Sequence, residues 1–295
     1  MRAHVTVLAL HKGGAEPHEY EDAAWVGSRG VPAVQGGSGS AVIGTGRSML
    51  PPPGPTCRRG GVGRVSSVRA AVSDGASESL LARRWAEVLV RQAGGAPTGL
   101  LRTGTGFADV LGRAAHRWPD LMKRYEYGRE LRGRPLTWYE RPGFERGAHA
   151  TLLVAHFAAH RWAPARGTWS AAALGDTCLF HVRGDQLRLA FPLDRADDFD
   201  NHPALAASLG HDRDAVEPHV RVVGGSWVMG DRFYLATDAL AAWFLRSREE
   251  GEKPWHALRV LDSASPRELA SWVERRRAAG ELRNDDVTLI RIEPR

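Results

Sequence analysis

The chain of 295 residues contains little cysteine and no long apolar run. Its two cysteines, Cys57 and Cys178, are too few for a disulfide framework, so we expect a reducing compartment. No apolar stretch approaches the ~20 residues that a membrane-spanning helix needs. The first residues are too polar for a secretory signal, and the sequence has no Asn-x-Ser/Thr acceptor. These absences predict a cytoplasmic protein with no membrane partner.

Several catalytic signatures are also missing. No Gly-x-Gly-x-x-Gly follows a predicted strand, no Walker-type phosphate loop is present, and no serine lies in a Gly-x-Ser-x-Gly elbow. His149, His156 and His160 are the best local set of histidines, and His156 and His160 have the four-residue spacing of a helical zinc site. Because no Glu follows His156 and the segment begins as a strand, ordinary packing or surface histidines are favoured.

The net charge of +6 comes from one segment. Residues 27–69 contain six arginines and no Lys, Asp or Glu, so the rest of the chain is balanced. Aromatic residues are not interleaved with these arginines as base-stacking platforms would require. We therefore favour a solvated basic loop and expect no nucleic-acid partner.

The pattern predicts one domain over residues 1–295, with a Gly- and Pro-rich, largely disordered insertion at about 27–63. Helical spacing covers Ser77–Gln92 and Phe107–Tyr127, where Trp118-Pro119 predicts a break. Strand patterns predominate from Gly147, and three more helices precede a closing strand. Helices grouped apart from strands predict an α+β fold of antiparallel sheets packed between helices.

Carboxylates recur where predicted strands end or turns begin. Asp74 follows the strand Val65–Ser73 and precedes Gly75, but Asp-Gly is also a common turn pair. The other such junctions are Glu21-Asp22, Gly175-Asp176, Thr237-Asp238 and Asn284-Asp285-Asp286. Any single junction is equally well explained by a turn acid or a helix N-cap. Together they favour oxygen ligands for two Mg²⁺ or Mn²⁺ ions, which can align a phosphoryl group for in-line attack.

The ordered set resembles the metal-dependent serine/threonine phosphatases of the type 2C (PPM) family, across nearly the whole chain. The matching stretches are Glu21-Asp22, Val72-Ser73-Asp74-Gly75, Gly147-Ala148-x-Ala150-Thr151, Ala173-Leu174-Gly175-Asp176, Leu235-Ala236-Thr237-Asp238 and Asp285-Asp286-Val287-Thr288. The resemblance implies two face-to-face antiparallel β-sheets flanked by helices, an α-β-β-α sandwich with metals at one end.

The resemblance also implies a mechanism and a site. Water activated by two Mn²⁺ or Mg²⁺ ions would hydrolyse phosphoserine or phosphothreonine in phosphoproteins, the substrates of serine/threonine kinases. Asp74 and Asp238 are implied as catalytic, and Asp176 as the ligand of a third, weaker metal. The full set of implied metal ligands is Glu21, Asp22, Asp74, Gly75, Asp176, Asp238 and Asp285.

Two departures from the family pattern support a second hypothesis. The phosphate-holding Arg of the family usually lies four residues before the first Glu, where this chain has Pro17, with Lys12 and His18 as possible substitutes. Many members have a His after the Asp-Gly pair, where this chain has Ala76. The alternative is a catalytically weak or inactive module that binds or senses phosphorylated partners.

Overall fold

A computed structural model describes residues 1–16, 19–29, 56–62, 65–199 and 202–295. The strands, in chain order, are β1 (Ala3–Leu10), β2 (Ala23–Arg29), β3 (Thr56–Val62), β4 (Ser67–Ser73), β5 (His149–Ala150), β6 (Leu152–His160), β7 (Ala163–Leu174), β8 (Cys178–Arg183), β9 (Gln186–Phe191), β10 (Ala206–Ala207), β11 (Arg221–Val228), β12 (Arg232–Ala236) and β13 (Val287–Pro294). The α-helices are α1 (Ala82–Gly95), α2 (Gly104–Leu131), α3 (Arg141–Arg146), α4 (Arg213–Val216), α5 (Asp238–Glu249), α6 (Pro254–Val260) and α7 (Pro266–Ala278).

The strands form two large antiparallel sheets. One has the order β3-β1-β13-β12-β8-β9, and the other has the order β11-β7-β6-β4-β2. A short third pair joins β5 to β10. Every registered pair is antiparallel, and the β8–β9 hairpin turns at Gly184-Asp185. The predicted α+β class is confirmed.

The main core lies between the two sheets. Alternate residues of facing strands, among them Val72, Phe157 and Ile290, are fully buried there. Phe157 of β6 meets Phe233 of β12 edge to face at 4.7 Å between ring centroids. Such aromatic pairs add about 0.5–1.5 kcal/mol to the free energy of unfolding beyond the area they bury. The sheets are therefore held face to face as the sandwich requires.

Helices cover both outer faces. The apolar faces of α1 and α2 pack on the five-stranded sheet, and α5 to α7 pack on the six-stranded sheet. The predicted break at Trp118-Pro119 is wrong, because α2 runs unbroken through Pro119. Trp118 is buried and meets Trp85 of α1 edge to face at 5.4 Å. This packing holds the helical backbone although Pro119 cannot donate a hydrogen bond to the preceding turn.

The helix α1 begins later than the sequence pattern predicts. It starts at Ala82 and not at Ser77. The hydroxyl of Ser77 donates to the Glu21 carboxylate (2.5 Å), and the hydroxyl of Ser79 accepts from the backbone N–H of His149 (3.2 Å). Serine side chains that find partners outside the segment favour turns over helix.

One arginine of the basic segment is not solvated. Arg69 of β4 is buried, and its guanidinium donates to the carbonyl oxygens of Ala93, Gly94 and Ala96 at the end of α1. A cation there satisfies helix carbonyls that lack partners and opposes the negative end of the helix dipole. For this residue the expectation of a solvated loop is wrong.

The predicted disordered insertion is wrong at its ends. Residues 27–29 continue β2, and Thr56–Val62 form β3 at the edge of the six-stranded sheet. The part between them, 30–55, and residues 63–64 lie outside the described residues. In the described parts of the chain, no helix has both the length and the apolar character to cross a bilayer.

Candidate metal centre

Both sheets contribute acids to the same end of the sandwich. Strands β4, β7 and β12 end just before Asp74, Asp176 and Asp238, whereas β2 and β13 begin just after Asp22 and Asp286. The registers Ala23↔Ser73 and Ala236↔Leu289 bring these strand ends side by side. Antiparallel pairing thus gathers acids that lie far apart in the sequence.

A chain of hydroxyl groups fixes Asp22. Its Oδ2 accepts hydrogen bonds from the hydroxyls of Thr237 (3.0 Å) and Thr288 (2.7 Å). Because the Thr288 hydroxyl donates to Asp22, it accepts from the Tyr20 hydroxyl, which contacts it closely. The second carboxylate oxygen of Asp22, Oδ1, is buried and has no hydrogen-bond partner among the residues that the structure describes. One oxygen is therefore held in place while the other remains available to a ligand.

The backbone of Asp74 is clamped by Thr151 at the start of β6. The Asp74 N–H donates to the Thr151 hydroxyl (3.0 Å), and the Thr151 N–H donates to the Asp74 carbonyl (2.9 Å). A Cβ on Gly75 would come within 2.8 Å of the Glu21 carbonyl oxygen and 2.9 Å of Ala82. Only glycine leaves room for this close approach of three chain segments. The side chain of Asp74 is consequently held at the mouth of the site, half-buried.

The acids are electrostatically coupled. Burial raises the pKa of Asp74 well above its usual range, and the charges of Asp22, Asp238, Asp176 and Asp285 raise it further. Burial and the charge of Asp285 raise the pKa of Asp238 to about 6, although hydrogen bonds from the Ala239 N–H and with the Asp74 carboxyl oppose the shift. The structure therefore brings these five aspartates into one region of negative potential.

Burial also raises the pKa of Asp22 well above its usual range, and the charges of Asp286 and Asp238 add to the shift. Like charges so placed cost free energy unless protons or a cation offset them. A divalent cation is the counter-charge that suits clustered carboxylates.

Asp286 has a structural task. It is buried, and its carboxylate accepts the backbone N–H groups of Lys12 (2.8 Å) and Glu21 (2.6 Å). Its neighbour Asp285 is half-buried beside it. The Asp286 contacts join the segments after β1 and before β2 to the start of β13. These hydrogen bonds fix the backbone positions of Lys12 and Glu21, from which the two side chains extend.

Glu21 and Lys12 lie together at the edge of the site. The Lys12 ammonium is 3.5 Å from a Glu21 carboxylate oxygen, and their side chains are 31% and 18% exposed. Burial raises the pKa of Glu21, while the Ser77 hydroxyl and Lys12 oppose the shift. Lys12 is therefore a partly exposed cation at the rim of the acid group. Of the two possible substitutes for the family arginine, His18 lies outside the described residues.

The acids do not form a compact ligand cluster in this structure. Within the described ranges, no three His, Cys, Asp or Glu side chains are arranged closely enough to hold a metal ion. The chemistry of the site nevertheless fits a hard divalent cation, since the buried Oδ1 of Asp22 lacks a partner among these residues, and burial together with mutual repulsion raises the pKa values of Asp22, Asp74 and Asp238. The ligand roles predicted for Glu21, Asp22, Asp74, Gly75, Asp176, Asp238 and Asp285 stay predictions.

Sequence reasoning missed the residues that hold the acids in place. Tyr20 lies in none of the motifs. Thr237, Thr288 and Asp286 belong to motifs that assign them no role. The sequence signal that could have found these residues is a hydroxyl-bearing residue close to an acid at a strand end. The two histidines with zinc-like spacing, His156 and His160, both lie on the extended strand β6, where four residues span about 13 Å. They are too far apart to share one metal ion.

A groove among the described residues lies elsewhere on the molecule. It has a volume of about 800 Å³, lies between α1 and α2, and is lined by arginines such as Arg91 and Arg124. None of the five electrostatically coupled aspartates lines this groove. The acid centre, which consists of Asp22, Asp74, Asp176, Asp238 and Asp285, lies instead at the end of the sandwich where strand ends of both sheets meet.

No protein-family model and no curated protein matches the chain. Among solved structures, a bacterial serine phosphatase is similar over 99% of this chain and 97% of its own, with 11% identity and a TM-score of 0.51. The catalytic domain of the serine/threonine phosphatase PstP, in complex with two manganese ions, is similar over 92% and 98%, with 13% identity and a TM-score of 0.43. RsbX in complex with magnesium is similar over 98% and 95%, with 12% identity and a TM-score of 0.43.

The similarity to the bacterial serine phosphatase, with its TM-score of 0.51, establishes the fold. The chain has the α-β-β-α sandwich of the bacterial serine phosphatase over nearly its whole length. The predicted likeness to phosphatases of the type 2C kind is thus confirmed as a likeness of fold.

Proposed function

We propose that the chain is a metal-dependent protein phosphatase that hydrolyses phosphoserine and phosphothreonine. The observation that carries the proposal is the electrostatic coupling of Asp74 to four other aspartates drawn from both sheets. A structural role alone does not explain it, because repulsion among buried and half-buried carboxylates costs stability. Buried acids with raised pKa values in one place are typical of functional sites.

Two Mn²⁺ or Mg²⁺ ions would be held by Asp22, Asp74, the Gly75 carbonyl, Asp238 and Asp285, with Glu21 at the edge. Asp176, buried after β7, would hold a third and weaker ion. When bound, such ions supply the Lewis acidity that makes water nucleophilic and offset charge on phosphoryl oxygens. Asp74 and Asp238 orient the attacking water and accept its proton.

Lys12 is the cation of this chain that holds the phosphate. Its backbone is fixed by Asp286, and its ammonium is partly exposed beside Glu21. From there it can turn toward phosphoryl oxygens and bind them as a point charge. In this role Lys12 replaces the phosphate-holding arginine of the type 2C family, whose sequence position is occupied by Pro17 in this chain.

Hydrolysis of p-nitrophenyl phosphate and of a phosphothreonine peptide tests the proposal. The purified protein should hydrolyse both with Mn²⁺ and neither with excess EDTA, and Asp74→Asn should abolish the activity. Asp197→Asn is the matched control, since the Asp197 side chain is 90% exposed and takes no part in the site. Activity that persists in Asp74→Asn, or in EDTA, would contradict the proposal.

The second candidate is a non-catalytic module of the same fold, and Ala76 is the observation that favours it. Calorimetric titration with Mn²⁺ separates the two. Binding without turnover of either substrate would identify a sensing or scaffolding module. Turnover that follows Mn²⁺ occupancy would identify an enzyme.

A further inference from the structure

One imidazole shares a sheet face with Asp74. The backbone N–H of Thr151 donates to the Asp74 carbonyl, Gly75 pairs with Ala150 in an antiparallel bridge, and the Ala76 N–H donates to the His149 carbonyl (2.9 Å). Residues 74 to 76 therefore run antiparallel to residues 149 to 151, with His149 directly opposite Ala76.

The antiparallel register decides on which face of the sheet the side chains of these residues lie. Directly opposed residues of an antiparallel pair share a face, and so do residues two apart on one chain. Asp74, Ala76 and His149 therefore belong to one face. Asp74 and His149 are diagonal neighbours, a relation that places two residues about 7–8 Å apart, with their Cβ atoms somewhat closer. That separation leaves room for a phosphoryl group between a carboxylate and an imidazole.

The environment leaves the imidazole of His149 available. The residue is half-buried, and within the described part of the chain its ring has no hydrogen bond, ion pair or ring contact. Other ionisable groups nearby are engaged, since Glu21 interacts with Ser77 and Lys12, and the buried Tyr20 hydroxyl contacts Thr288. The imidazole of His149 is thus without a partner among the described residues and belongs to the same face as Asp74.

We propose that His149 is the general acid of the reaction, an inference that rests on the proposed phosphatase function. The water oxygen forms a bond to phosphorus as the ester P–O bond breaks and its electron pair passes to the serine or threonine oxygen. The protonated His149 ring gives its proton to that oxygen, and the alcohol leaves. The proton lost by water passes to an aspartate, and the ring is then reprotonated from solvent.

Leaving-group dependence tests this role. The leaving p-nitrophenolate delocalises its charge and needs little protonation, whereas a serine alkoxide must be protonated. His149→Ala should therefore lower kcat on a phosphoserine peptide about 100-fold or more, with little change on p-nitrophenyl phosphate. His160→Ala, which removes an exposed imidazole from the end of β6, should leave both rates unchanged.

A double variant tests the geometry. Because residue 76 lies opposite residue 149 on the same face, Ala76→His combined with His149→Ala should recover much of the lost peptide activity. The melting temperature and Mn²⁺ affinity of His149→Ala should match the wild type, which shows that the loss is not one of folding or metal binding.

Three results would overturn the assignment. An equal loss on both substrates, or no loss on either, would overturn the role of His149 and leave the proposed function intact. A wild-type protein that hydrolyses neither substrate with Mn²⁺ would overturn the proposed function and this inference together.

Discussion

At the scale of single residues, hydroxyl groups set the orientation of the acid centre. Thr288 donates to Asp22 Oδ2 and accepts from Tyr20, so it holds the buried carboxylate at one oxygen. Partners of this kind fix the orientation of a ligand for a metal, and their loss costs about 10–100-fold in affinity.

Thr288→Val should therefore weaken Mn²⁺ binding by about 10–100-fold. Valine keeps the shape of threonine but leaves Asp22 with one hydroxyl donor and Tyr20 without an acceptor. Isothermal titration calorimetry with Mn²⁺ measures the effect. Thr288→Ser keeps the hydroxyl and should bind like the wild type, and equal weakening in both variants would count against the role of the hydroxyl.

Lys12 gives a second prediction at this scale. Lys12→Ala should lower kcat/KM by roughly ten- to hundredfold, since a hydrogen bond to a charged group contributes about 1.5–3 kcal/mol. Lys12→Arg keeps the charge and should retain much of the activity. Steady-state kinetics on the phosphothreonine peptide measures both variants, and an unchanged kcat/KM in Lys12→Ala would remove Lys12 from the site.

At the scale of elements, close backbone contact at Gly75 joins β4 to α1. A side chain there would meet the Glu21 carbonyl and the backbone of Ala82 at under 3 Å. Gly75→Ala should lower the free energy of unfolding by about 1–3 kcal/mol through overpacking.

Gly95→Ala is the matched control for that prediction. Gly95 ends α1, and an added Cβ would meet nothing within 4 Å, so this variant should be neutral or slightly stabilising. Urea unfolding monitored by tryptophan fluorescence compares the two. Equal midpoints for Gly75→Ala and the wild type would show that the chain segments can move apart without cost.

Asp231 joins elements of both sheets. Its buried carboxylate accepts from Arg183 and His181 of β8, and from the backbone N–H of Val228 in β11. Burial raises the pKa of Asp231, but these hydrogen bonds outweigh burial and hold it well below its usual value. Removing one partner of a buried pair is costly, so Asp231→Asn should lose about 3 kcal/mol of the free energy of unfolding at pH 7.

The same contact predicts a pH dependence. A carboxyl whose folded pKa is depressed stabilises the fold at pH values above its unfolded pKa of about 3.9, and that contribution is lost as the pH falls below it. The free energy of unfolding should thus fall more steeply for the wild type than for Asp231→Asn between about pH 5 and pH 3. Urea titrations across that range measure it, and parallel curves would contradict the assignment.

At the scale of the whole molecule, the acid centre couples ligand binding to folding. The five aspartates come from strand ends of both sheets, so they meet only in the folded chain. A cation that binds only there stabilises the fold by about 2.7 kcal/mol at 100 times its dissociation constant. Mn²⁺ should therefore raise the melting temperature of the wild type in scanning calorimetry, and raise it much less in Asp74→Asn. Equal shifts in the two proteins would place the bound metal elsewhere.

The sequence by itself determined the fold class, most of the strands and the acids at strand ends, but not β3, which lies within the predicted insertion. These follow from local patterns, because alternation and turn residues act over a few neighbours. It failed where a distant contact overrules a local preference. Pro119 predicts a break, but the packing of Trp118 on Trp85 keeps α2 whole, and Ser77 and Ser79 leave the helical pattern for partners at Glu21 and His149.

Only the tertiary structure decided which acids share an electrostatic environment and what holds them there. Tyr20 lies in no motif and the motif that contains Asp286 assigns it no role, yet Tyr20 completes the hydroxyl chain to Asp22 and Asp286 fixes the backbone of Lys12 and Glu21. The position of His149 opposite Ala76 likewise follows from antiparallel register, a relation between segments more than 70 residues apart. Pairing across the sheet sets that register, and no local pattern encodes it.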